Sequence, residues 1–100
     1  MSISVIQHKS NGIVEIQVMG SFDFSLFNDF RVAYEEYIGQ SQHFIVNLES
    51  VEYLDSAALG MLLSMKTALG EPVKIEIVGA NDFIRNILMI SRFDKRFEIR

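Results

Sequence analysis

β-Branched residues dominate two early runs, Ile3–His8 and Ile13–Val18, with Lys9-Ser10-Asn11-Gly12 between them. Asn-Gly is a strong turn signal, so a β-hairpin is expected to open the chain. In the second run Val14, Ile16 and Val18 alternate with Glu15 and Gln17, which predicts one buried and one wet face. After Gly20 the period changes. Leu26, Phe27, Phe30, Ala33, Tyr34, Tyr37 and Ile38 follow helical spacing, with Ser25 as the expected N-cap and Gly39 as the stop. Phe44–Leu48 reads as a short strand, and Ala57–Leu69 as a second helix ended by Gly70 and Pro72. Val73–Val78 alternates apolar residues with Lys74 and Glu76. Asn81 is placed to cap a third helix over Asp82–Ser91, with Phe83, Ile84, Ile87 and Leu88 on one face, and Phe97–Ile99 can add a last strand. This order predicts an α/β domain with a mixed β-sheet. It has an N-terminal hairpin, parallel pairing among the later strands, and helices mainly on one face.

Composition narrows the class. One hundred residues, 49% hydrophobic and 22% charged, suit one domain over 1–100 with a real core and no linker. The chain has no cysteine, which excludes disulfides, thiol chemistry and cysteine metal sites, and a reducing cytoplasm is the natural expectation. Neither a signal-peptide pattern nor an apolar run longer than Ala57–Leu63 is present, so a soluble protein without direct membrane insertion is expected. The net charge of −4 and the lack of an aromatic basic platform argue against nucleic acid, although Arg85–Arg100 is locally basic.

The chemistry concentrates where the third strand hands over to the second helix, at Leu54-Asp55-Ser56-Ala57-Ala58-Leu59-Gly60. A helix start presents unpaired N–H groups and the positive end of the dipole, so a phosphate on Ser56 would meet an anion site. The structural alternative makes Ser56 an N-cap, its hydroxyl accepting the N–H of Ala58 or Leu59. Asp55 and Asp23 have similar alternatives: ordering the turn by Asx-type hydrogen bonds, or contacting a metal-bound nucleotide in a partner's active site. The second helix is apolar around most of its circumference. Either it is covered on both sides within the domain, or Met61 and Met65 form an exposed docking surface with Ala57, Ala58 and Gly60 beside Ser56. Gly60 would permit close approach of another backbone or serve helix–sheet packing.

Several segments together resemble the STAS domain, in particular bacterial anti-sigma factor antagonists. They are Gly20-Ser21-Phe22-Asp23, Val46-Asn47-Leu48, Val51-Glu52-Tyr53-Leu54-Asp55-Ser56, Leu59-Gly60-Met61-Leu62-Leu63, Val73–Val78 and Arg85-Asn86-Ile87-Leu88. The resemblance implies that Ser56 is phosphorylated by a partner anti-sigma kinase, with Asp23 and Asp55 in the adjoining acidic site. It also implies that the unphosphorylated form binds an anti-sigma factor or serine kinase, and that a metal-dependent serine phosphatase resets it. Ala57-Ala58 stands where the family frequently has Ser/Thr-Gly, and Ser91-Arg92-Phe93 where it frequently has Ser-Gly-Leu.

The leading expectation is a phosphorylation-controlled interaction switch that needs no cofactor of its own. The alternative is a STAS accessory subunit of a membrane transporter complex, which would use the docking helix without modifying Ser56. Catalysis has little support. Ser56 lacks a G-x-S-x-G context, His8 and His43 stand alone in or beside strands, and no zinc, Walker or dinucleotide motif occurs.

Overall fold

The computed structural model describes residues 2–100. β1 (Ile3–His8) and β2 (Ile13–Phe22) form the expected hairpin, closed by Asn11 and Gly12 N–H groups donating to the His8 carbonyl. A 3-10 turn (Phe24–Leu26) leads into α1 (Phe27–Glu35), followed by β3 (His43–Leu54), α2 (Ser56–Leu69), β4 (Lys74–Val78) and α3 (Asp82–Ile90). A second 3-10 turn (Phe93–Lys95) and β5 (Glu98–Ile99) complete the domain. The sheet order is β1-β2-β3-β4-β5, antiparallel for the hairpin and parallel for the other three pairs. Each parallel pair needs a crossover, and α1, α2 and α3 supply them.

Alternate residues of the central strands are buried: Val14, Ile16 and Val18 on β2, Phe44, Val46 and Leu48 on β3, Ile75 and Ile77 on β4. Helices cover mainly this face. The opposite face carries polar groups in contact with one another. Glu15 accepts from Asn47 at 3.0 Å and from Gln17 at 3.1 Å and pairs with His8 at 3.0 Å, while Glu76 contacts His43 and Arg100. The Asn47 amide is the main cause that holds the Glu15 carboxyl below its ordinary pKa. Burial opposes it, and His8 and Gln17 add to the lowering.

Three expectations about element ends change. β2 and β3 run on past Val18 and Leu48 to Phe22 and Leu54, so Glu49–Tyr53 belongs to β3 as well. Two register shifts, at Gln17/Met19 and Gly20/Ser21, let the pairing continue, and Gly20 takes a φ of 82° there. The strict alternation is lost across these bulges, which hid the strand from a period-two reading. α1 is shorter than its apolar stripe, Tyr37 and Ile38 lying in the turn beyond Glu35, and Asp23 rather than Ser25 caps the helical entry. Gly79, with φ 77°, lies so close to β3 that a Cβ would stand 3.0 Å from the Glu49 nitrogen. Among the described residues no helix is long and apolar enough to cross a membrane.

Candidate functional site

Parallel pairing sets the site. Phe22 and Leu54 are register partners at the carboxyl ends of β2 and β3, and the Asp55 N–H donates to the Phe22 carbonyl at 3.4 Å. Asp23 and Asp55 therefore leave neighbouring strands side by side, at the sheet end where α/β folds commonly place function. Each carboxylate organises the chain that follows it. Asp23 Oδ1 accepts from the Ser25 N–H at 2.9 Å and from its hydroxyl at 2.5 Å, and Asp55 Oδ1 accepts from the Ala58 N–H at 3.1 Å.

Asp55, not Ser56, is thus the N-cap of α2. Its φ of −117° and ψ of −178° are the extended values of a cap, and Ser56 is the first helical residue. The expected bond from Ala58 to the Ser56 hydroxyl is replaced by one to the aspartate, because a cap's side chain reaches the N–H three positions on. Ser56 is exposed.

The docking surface also needs correction. Met61 and Met65 are 4% and 0% exposed, and with Ala58, Leu62 and Leu69 they form one buried stripe at helical spacing along α2. The two methionines and Ala58 are core residues. Ala57 is half-buried, while Gly60, Ser64 and Thr67 face outward. A Cβ on Gly60 would meet nothing within 4 Å, so its small size does not serve packing inside the domain.

Exposed aromatics were missed as site neighbours. Phe24 is 67% and Tyr53 50% exposed, and Phe24 stacks on Phe27 with ring centroids 5.4 Å apart. Phe24 directly follows Asp23, and Tyr53 directly precedes Leu54-Asp55. The signal was available in Tyr53, an aromatic between Glu52 and Leu54-Asp55, but Phe27 fell on the helical stripe and read as core.

The histidines lie elsewhere. His8, Ile13 and His43 share one row of the sheet at the start of β2 and β3, the opposite end from Ser56. Each imidazole meets a glutamate, and neither forms a nucleophile–base pair with Ser56. Among the described residues no group of three or more metal-ligating side chains gathers.

Residues 4–100 match the family model of the STAS domain. The chain belongs to the STAS family. It is 38% identical over 100 residues to a STAS-domain containing protein of Pseudomonas aeruginosa (strain UCBPP-PA14), covering 99% of each. Its fold is similar to an anti-sigma factor antagonist from Mycobacterium paratuberculosis, with a TM-score of 0.82, 21% identity and coverage of 98% and 85% of the two chains. The phosphorylated form of the Bacillus cell fate determinant SpoIIAA gives 0.77, 17%, and 98% and 90%. A sulfate transporter family protein from Wolinella succinogenes gives 0.73, 15%, and 87% and 76%.

The departure from the STAS pattern at Ser91-Arg92-Phe93 has a backbone consequence. Arg92 takes φ 61° and ψ 32° just past the end of α3, and its N–H donates to the Met89 carbonyl at 3.1 Å. A left-handed position of this kind favours glycine, and an arginine occupies it at a cost in strain.

Proposed function

We propose that this STAS domain is a non-enzymatic interaction switch, an anti-sigma factor antagonist controlled by phosphorylation of Ser56. In the unphosphorylated state it sequesters an anti-sigma factor or related regulator in the cytoplasm, and so acts on transcription. One observation carries the reading: Asp55 caps α2, leaving the exposed Ser56 hydroxyl free of that structural duty. The likeness to SpoIIAA supports the fold on which such a switch operates.

Phosphorylation adds roughly −1.5 to −2 charges. The first-turn amides of α2 and the helix dipole would favour that charge, whereas Asp55 and Asp23 would oppose it. A partner covering this surface must desolvate the phosphate beside two carboxylates, so the modified form binds more weakly. The partner surface consists of Ser56, the half-buried Ala57, the outward-facing Gly60 and the exposed Tyr53 and Phe24. A metal-dependent serine phosphatase would restore the binding form.

The test is phosphosite mapping on protein from its native cell, followed by titration of unmodified and phosphorylated forms against the partner that copurifies with Ser56→Ala. Weaker binding after modification of Ser56 is expected. Phosphate on another residue, or equal or tighter binding, overturns the proposal. The likeness to a sulfate transporter family protein favours the second reading, an accessory subunit of a membrane transporter complex. That reading predicts a copurifying transporter and an unmodified Ser56.

A further inference from the structure

β1 is an edge strand, and its only strand neighbour among the described residues is β2. The Met19 N–H donates to the Ser2 carbonyl at 2.8 Å, which continues the β1–β2 register by one position. Backbone groups alternate sides along a strand, so Ser4 and Ile6 also turn theirs toward β2. Ile3, Val5 and Gln7 consequently direct their N–H and C=O groups outward. Within its six residues β1 has no proline, no lysine and no bulge, three of the devices that commonly protect an edge.

A groove of about 260 Å³ runs beside this edge, lined by Ile3, Val5, Asp29, Val32, Ala33 and Glu36. Its floor is apolar, with Val32 56% and Val5 39% exposed. Its rim is acidic. Asp29 and Glu36 are both exposed, and among the described residues neither is in an ion pair; the ion pair on α1 joins Arg31 and Glu35. Glu36 stands at the C-cap of α1, where the helix dipole disfavours a carboxylate, so the helix gains nothing from it there.

We propose that β1 and α1 form a docking site for an extended segment of a partner polypeptide, in which a β-branched residue is flanked two positions away on each side by lysine or arginine. The segment adds a sixth strand through the outward groups of Ile3, Val5 and Gln7, its central side chain covers Val5 and Val32, and its cations meet Asp29 and Glu36. The spacing fits. Seven residues of helix separate the carboxylates by about 10.5 Å, and residues four apart on a strand are separated by about 13 Å, within reach of long cationic side chains. A second copy of this chain fits less well, because antiparallel pairing about Val5 would bring two acidic α1 rims together. The inference is independent of the Ser56 switch.

The probe is the capped peptide acetyl-Ser-Lys-Thr-Val-Thr-Lys-Ser-amide, added to 15N-labelled protein and followed by amide shifts and hydrogen exchange. Slower exchange at Ile3, Val5 and Gln7 is expected, with affinity falling about tenfold in the Asp29→Lys, Glu36→Lys double variant. Val5→Pro removes one outward N–H that makes no ladder bond to β2, and should abolish binding. Circular dichroism must show both variants folded; if Val5→Pro is not, the surface double variant decides. Binding that is unchanged in the double variant, shifts confined to other strands, or equal binding of a peptide with glutamates for lysines overturns the proposal. Protection of the edge that rises with protein concentration in the absence of peptide also overturns it, in favour of a second copy.

Discussion

Phe22 and Leu54 face each other at the last shared register position of β2 and β3, and this pairing brings Asp23 and Asp55 out of the sheet together. The two aspartates then do equivalent local work, each receiving an N–H from the helical turn that follows. Ser56 follows Asp55 as the first residue of α2 and does not cap it.

Stability should therefore separate the two neighbours. Asp55→Ala removes the cap of a 14-residue helix and is expected to cost about 1 kcal/mol. Ser56→Ala changes an exposed first-turn position and is expected to stay within about 0.5 kcal/mol of the parent. Urea unfolding of both variants at pH 7 measures the difference. A larger loss for Ser56→Ala would return the capping role to the serine.

Most of the frame was legible because local chemistry and tertiary packing agree. Asn11-Gly12 closes the hairpin, Asn81 caps α3 with its Oδ1 accepting the Ile84 N–H at 2.8 Å, and the alternation of β2 matches its buried face. Where two readings were physically equivalent, sequence did not choose between them. Asp and Ser are both good caps, so reading Ser56 as the cap started the helix one residue late, and that residue decides the role of the hydroxyl. Tertiary placement alone shows that the apolar excess of α2 supplies a buried stripe through Met61 and Met65 and leaves Gly60 outside. Bulges erased the period of Glu49–Tyr53, hiding the strand that carries Tyr53 to the site.

Arg92 offers a test of backbone strain. A left-handed φ costs an ordinary residue roughly 1–2 kcal/mol, part of which glycine loses again through greater unfolded-state freedom. Arg92→Gly is expected to stabilise the domain by about 1 kcal/mol, read as a higher urea midpoint. Arg92→Ala should give no comparable gain, since the strain belongs to the Cβ and not to the charge.

Glu15 links the open sheet face to pH. Its folded pKa lies below the ordinary value, so the carboxylate contributes stability that is present above the unfolded pKa and is lost as pH falls through the folded one. Wild-type protein should lose stability more steeply than Glu15→Gln as the solution is acidified below about pH 4.5, near the unfolded glutamate value. Urea midpoints across that range measure the slopes. Parallel slopes would mean that the Asn47, Gln17 and His8 contacts do not favour the charged form.

α2 should divide into two functional sides. Met65 is wholly buried, and Met65→Ala is expected to cost about 2–5 kcal/mol by leaving a cavity beneath the helix. Gly60 is an exposed helix-interior residue with open space around its Cα, so Gly60→Ala is expected to stabilise the domain by about 0.5–1 kcal/mol. If a partner backbone approaches α2 beside Ser56, that same methyl group must obstruct it. Gly60→Ala should then raise the unfolding midpoint while weakening association with the partner, opposite signs that no general loss of folding produces. Denaturation and a binding titration on the same preparation provide the comparison, and binding at parental strength would place the partner's contact away from this side of the helix.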